Sequence, residues 1–142
     1  MGWRRRAAAA VVLLVAVIAI ALATEGQTVV VPFGQFSLIE SASAADVSAV
    51  GEDTAVAVGL KALEDLNPAV RGLSFEAAHL STGLRSVKGD RGHMIFSATE
   101  PFDAWVVEFA APAQNGFATV HGLVVVDART GAISSAQLVQ SN

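Results

Sequence analysis

Residues 105–131 read WVVEFAAPAQNGFATVHGLVVVDARTG, and their periodicity decides the fold class. Trp105, Val107 and Phe109 alternate with Val106, Glu108 and Ala110. Steps of two place the three large apolar groups on one face of a β-strand. Pro112 ends that strand, and Asn115-Gly116 is a turn dipeptide. The next strand, 117–127, carries Leu123, Val124, Val125 and Val126 in succession. A run apolar on both faces suits a strand covered on both sides, by its own chain or by a helix and a dimer partner. Asp127, Ala128, Arg129, Thr130 and Gly131 then form a second turn. The Asp side chain accepts backbone N–H bonds across it, and Gly131 takes a positive φ. Residues 133–139 return as a last strand, with the serines and glutamines of an edge.

Upstream, the period is helical. EDTAVAVGLKALEDLNP, from Glu52, sets Val56, Leu60, Leu63 and Leu66 on one stripe at steps of three and four. Glu52 and Asp53 fall where the helix dipole favours negative charge, and Asn67-Pro68 stops the helix. Gly59 is a poor helix former in mid-helix, a position that suggests close packing against a sheet. Beyond Pro68, GLSFEAAHLS and HMIFSA read as two weaker strands separated by the polar TGLRSVKGDRG. There 88–92 reads as a turn, and Arg85, Lys88 and Arg91 as a solvated loop. The expected fold is α+β, with one main amphipathic helix packed on an antiparallel sheet that ends in a C-terminal meander.

The N-terminus has a different character. Residues 7–23, AAAAVVLLVAVIAIALA, contain no charged or polar side chain and follow Arg4, Arg5 and Arg6. This is the pattern of an export segment, and Ala21-Leu22-Ala23 fits small-x-small cleavage. As a helix the run reaches about 26 Å, near the thickness of a hydrocarbon core, so an uncleaved anchor satisfies it too. Either way the arginines stay cytoplasmic and the rest lies outside, giving an extracytoplasmic domain, secreted or anchored. The expected organisation is a signal or single transmembrane anchor over 1–23, a linker over 24–51 and an α+β domain over 52–142. Within the linker, 28–31 and 35–39 read as short extended pieces.

Without the arginine triplet, 6 basic residues face 13 acidic ones. That balance argues against nucleic acid and against charge-driven binding to anionic lipid. The chain has no cysteine, which excludes disulfides and thiolate metal sites. His79, His93 and His121 share no i,i+4 pair and no H-E-x-x-H. Neither G-x-S-x-G, S-x-x-K, G-x-G-x-x-G nor a P-loop occurs. The carboxylate pairs Glu52-Asp53 and Glu64-Asp65 read as solvated helix positions. Glu108 falls on the strand face away from Trp105, read as an exposed face, and Trp105 with Phe109 reads as core beneath the helix. No catalytic, cofactor-binding or metal residue is assigned, and no cofactor is expected.

The helix EDTAVAVGLKAL and the hairpin WVVEF…GLVVVDARTGAI together resemble the PepSY family. The hairpin is similar to that family's aromatic-led strand, second strand ending in V-D-A-x-T-G and short return strand. Trp105 stands where many members have tyrosine, and residues 73–100 match poorly. The resemblance implies a non-catalytic module of an exported or membrane-anchored protein, with an inhibitory or regulatory role toward peptidases. The expected function is therefore an exported binding or regulatory module for a peptidase or other envelope protein. Its alternative is a structural component that self-associates through its sheet. The membrane is a partner through residues 7–23 if these are retained.

Overall fold

The computed structural model describes residues 27–41 and 49–141. The apolar run 7–23 lies outside them, and among the described residues no helix is long and apolar enough to cross a membrane. In chain order the elements are β1 (Thr28–Phe33), β2 (Phe36–Ser41), α1 (Glu52–Leu66), β3 (Ser74–Gly89), a 3-10 turn (Asp90–Gly92), β4 (Met94–Ala111), β5 (Thr119–Asp127) and β6 (Ile133–Ser141). The strands form one antiparallel sheet in sequence order, β1 to β6. Among the described residues, one α-helix on one antiparallel sheet gives the α+β fold that the periodicity predicts.

Helix α1 begins after Gly51, whose backbone is extended, with Glu52 and Asp53 in the first turn. It stops at Asn67, whose side chain accepts the Ala69 N–H at 3.2 Å, just past Pro68. Its buried stripe is Ala55, Gly59 and Leu63, with Val56 and Leu60 beside them. Leu66, expected on the stripe, is exposed. Gly59 does mark close packing: a Cβ there would come within 3.3 Å of the Phe109 ring. Gly122 of β5 is tighter still, since a Cβ would collide with Leu63. Two glycines, one on each partner, thus let helix and sheet approach until Leu63, Phe109 and Val124 interlock.

Trp105, Val107 and Phe109 lie under α1, as their alternation predicts. The opposite face carries Ala104, Val106, Leu123 and Val125, all buried, and its cover comes from the same chain. Strand β4 pairs Phe102 with Leu84 and then Ser97 with Ser86. Residues 98–101 of β4 therefore oppose Arg85 alone. Pro101 sits in this bulge, where a residue without an N–H is tolerated. The strand folds back here. Ile95 accepts a hydrogen bond from the Gln137 side chain, although Gln137 pairs Leu123 and Leu123 pairs Glu108. An unbent β4 would hold Ile95 about 40 Å from that row. The distal half of the β3–β4 hairpin, with β1 and β2 alongside, thus curls over β4 and β5. Phe33, Phe36, Leu38, Leu84 and Val87 fill the concave side.

Several expectations are corrected by this curl. HMIFSA from Met94 onward and WVVEFAA belong to one strand, β4, and most of TGLRSVKGDRG continues β3, leaving Asp90–Gly92 as the turn. Arg85 and Lys88 are strand residues, and the Arg85 guanidinium donates to Thr28 Oγ1 at 3.1 Å. The polar composition that reads as loop reflects strand positions at bulges and on the convex side. The linker reading is corrected over 28–41, which forms the β1–β2 hairpin of the sheet. Both covers of Leu123, Val124, Val125 and Val126 are intrachain: α1 on one side and the curled hairpins on the other.

Candidate functional site

The concave face holds most of the polar chemistry that the described residues bury. Alternation places Glu108 on this face, opposite Trp105, as expected. It is not exposed, however, retaining only 5% of its accessible surface. The turn between β1 and β2 sits on it. Gly34, at φ +51°, lies so close that a Cβ there would collide with the Glu108 carboxylate. The Gln35 backbone N–H donates to that carboxylate. Sequence periodicity finds the face but not the cover, because the cover depends on a fold-back at 98–101 that no period announces.

Burial pushes the Glu108 carboxyl above the ordinary carboxylate range; the Gln35 hydrogen bond and nearby His121 pull the other way, and Glu76 adds to the rise. Desolvation wins because one amide donor replaces only part of a carboxylate's hydration. His121 pairs Ala110 across β4–β5, one diagonal step from Glu108. Among the described residues both of its ring nitrogens are buried without a hydrogen-bond partner, as is the Ser81 hydroxyl further along the face. His79 lies on the same face of β3, and its Nε2 meets Glu40 of β2 at 2.6 Å, tying the outer hairpin to the main sheet. Phe33 packs at 6.1 Å from the same imidazole.

The three histidines do not converge. His79 is engaged with Glu40, His121 lies against Glu108, and His93 is exposed beside the β3–β4 turn. Among the described residues no group of three His, Cys, Asp or Glu side chains is arranged to hold a metal ion. The helix carboxylates Glu52, Asp53, Glu64 and Asp65 are exposed, and Asp65 pairs with Lys61 at 3.0 Å.

The 127–131 turn has the form expected of it and a second role. Asp127 Oδ1 accepts the N–H groups of Arg129 at 2.8 Å and Thr130 at 3.0 Å, and Gly131 has φ +77°. Partial burial raises the Asp127 carboxyl, but the Thr130 and Arg129 hydrogen bonds and the Arg129 charge together bring it below its usual range. The Ala128 carbonyl accepts both Ala49 N–H at 3.0 Å and Val50 N–H at 2.9 Å, immediately before α1. Arg129 also reaches back to Asp103 of β4 at 2.9 Å. A cleft of about 340 Å³, lined by Pro101, Phe102, Asp103, Asp127 and Arg129, opens beside it. A second cleft of about 430 Å³ lies past the end of α1, against Glu64, Pro68 and Arg71.

The remaining chemical resource is backbone. Among the described residues, strands β1 and β6 end the sheet, and each pairs with one neighbour only. On β6 the face toward α1 carries Ala136 and Leu138, and the concave face carries Gln137 and Val139. Strand β1 exposes Val29 and Val30. No protein-family model matches the chain, and neither a curated protein nor a solved structure matches it.

Proposed function

We propose that the chain is a non-catalytic, extracytoplasmic binding or regulatory module, acting on a peptidase or another cell-envelope protein through the free edge of β6. The observation that carries this reading is the position of β6 at the end of the sheet. Ala136, Leu138 and Val139 pack partly against the two cores, and the outward row of backbone donors and acceptors is what β6 offers an extended segment. Such an edge takes an extended partner segment by strand addition. The arginine-led apolar segment supports an address outside the cytoplasm, and the acidic balance argues against a nucleic-acid partner. The likeness of the 105–139 hairpin to PepSY modules supports a regulatory rather than a chemical role. Self-association through the sheet is less favoured, since the two-sided apolar run of β5 is covered by its own chain.

Photoreactive side chains placed singly at Ser134, Gln140 and Lys61 of the full-length chain test this in cells. All three positions are exposed, the first two on β6 and the third on α1. Ser134 and Gln140 should yield one common adduct, a peptidase or envelope protein, that Lys61 does not. No adduct, or the same adduct from Lys61, overturns the edge reading.

A further inference from the structure

The β1–β2 hairpin sits over a titratable group that the module reading does not use. We propose that this hairpin is a proton-linked latch, seated on the concave face while Glu108 is protonated and loosened from it as Glu108 ionises.

The geometry sets up the linkage. With the hairpin seated, Glu108 is 5% exposed beneath Gly34 and receives one backbone donor, from Gln35. The surroundings compensate an ionised carboxylate poorly. From β5, His121 favours the ionised form electrostatically, but among the described residues its ring nitrogens have no hydrogen-bond partner and so give the carboxylate no donor. From β3, Glu76 contributes like charge, while the neighbouring His79 is engaged with Glu40 of β2. Strand β6 and the Gly34-Gln35 turn bring no titratable side chain. Lifting the turn admits water to the carboxylate, so ionisation favours the lifted state. The upward displacement of Glu108 by burial agrees with that direction.

The hairpin is also the element best placed to respond. Among the described residues it joins the sheet through β2–β3 pairing alone, and β1 is an edge. Its hold on the concave face rests on Phe33, Phe36 and Leu38, together with the His79–Glu40 contact. Loosening uncovers Val106, Leu123 and Val125 without disturbing α1 on the opposite face.

Hydrogen exchange of the full-length chain, read by mass spectrometry on peptides covering 28–41 between pH 5 and 8, tests the latch once intrinsic exchange rates are corrected. The open fraction should rise with pH, by up to tenfold per pH unit for a single linked proton. Peptides from α1 should show no such slope. In Glu108→Gln the slope should vanish. A flat wild-type profile, or an equal slope in Glu108→Gln, overturns the proposal. Should Glu108→Gln fail to fold, the side-chain carbon resonance of Glu108 in the wild-type chain serves instead. Its titration and the loss of hairpin protection should share one midpoint, and separate midpoints overturn the proposal.

Discussion

Trp105 donates its indole N–H to the backbone carbonyl of Val50 at 2.7 Å, fastening the middle of β4 to the chain two residues before α1. The Ala128 carbonyl holds the N–H of the same Val50. The entry to the helix is therefore clamped between the long strand and the 127–131 turn. This explains an unusual economy at the helix start: Gly51 provides no side-chain cap, and tertiary hydrogen bonds fix the chain there instead. Trp105→Phe keeps the ring on the helix face and removes the donor. We expect a loss of about 1 kcal/mol, the net worth of one hydrogen bond, in urea unfolding at unchanged slope.

The same clamp makes Gly131 a test of backbone geometry alone. Its φ of +77° lies in the left-handed region, and a Cβ there would meet Val50 Cγ2 at an ordinary 3.5 Å. No steric collision contributes, so Gly131→Ala should cost about 1–2 kcal/mol, the left-handed penalty for a residue with a side chain. Gly131→Asn should recover part of it, because asparagine tolerates that region. Equal losses for Ala and Asn in thermal unfolding would show that the turn's geometry is not what limits it.

Gly122→Ala probes the opposite situation, ordinary backbone but no room. The added methyl would collide with Leu63 and approach Phe109 Cβ to 3.3 Å. Leu63 is fully buried, so it has no open space to enter. Overpacking of this kind costs about 1–3 kcal/mol. The double variant Gly122→Ala with Leu63→Val should be less destabilised than the separate effects sum to, a coupling that a double-mutant cycle measures.

The pH dependence of stability follows from Glu108. Burial raises its carboxyl in the folded chain, so its contribution is fully present below the unfolded value of 4.5 and is lost as pH rises through the folded one. The stability of Glu108→Gln relative to wild type should therefore increase with pH across that window. Asp127 runs the other way. Its folded carboxyl is lowered, so its contribution is present above 3.8 and is lost as pH falls through the folded value. Urea midpoints of wild type, Glu108→Gln and Asp127→Asn at a series of pH values separate the two.

What was legible in the sequence is what a period or a turn residue encodes. Trp105, Val107 and Phe109 declare their common face by alternation, and Asp127 with Gly131 declares a turn by its backbone needs. The limits of α1 are readable from Glu52, Asn67 and Pro68. The concave face was not readable in the same way. Strands β3 and β4 are bulged at several points, and each bulge breaks the two-residue period on which strand recognition depends. TGLRSVKG consequently looks like loop, although Leu84 and Val87 within it are fully buried. Pro101 was the available signal: a proline between the strand-like runs HMIFSA and WVVEFAA is compatible with one strand only if that strand bulges. The burial of Glu108 follows from that fold-back, which is why its face could be assigned from the sequence and its environment could not.

Leu38 decides whether the concave core belongs to one chain. It is fully buried among the residues that cover Leu123 and Val125, although it comes from the hairpin over 28–41. If the hairpin is the cover in solution, Leu38→Ala leaves a cavity and costs about 2–5 kcal/mol. The loss should be independent of protein concentration, and the unfolding temperature of the wild-type chain should likewise not rise with concentration. A second copy seated on β5 gives the contrary result. Its displacement of the hairpin would make Leu38→Ala nearly neutral, and stability would climb with concentration. Unfolding temperatures of both proteins over a hundredfold range of concentration distinguish these cases, since only an intermolecular cover carries a mass-action term.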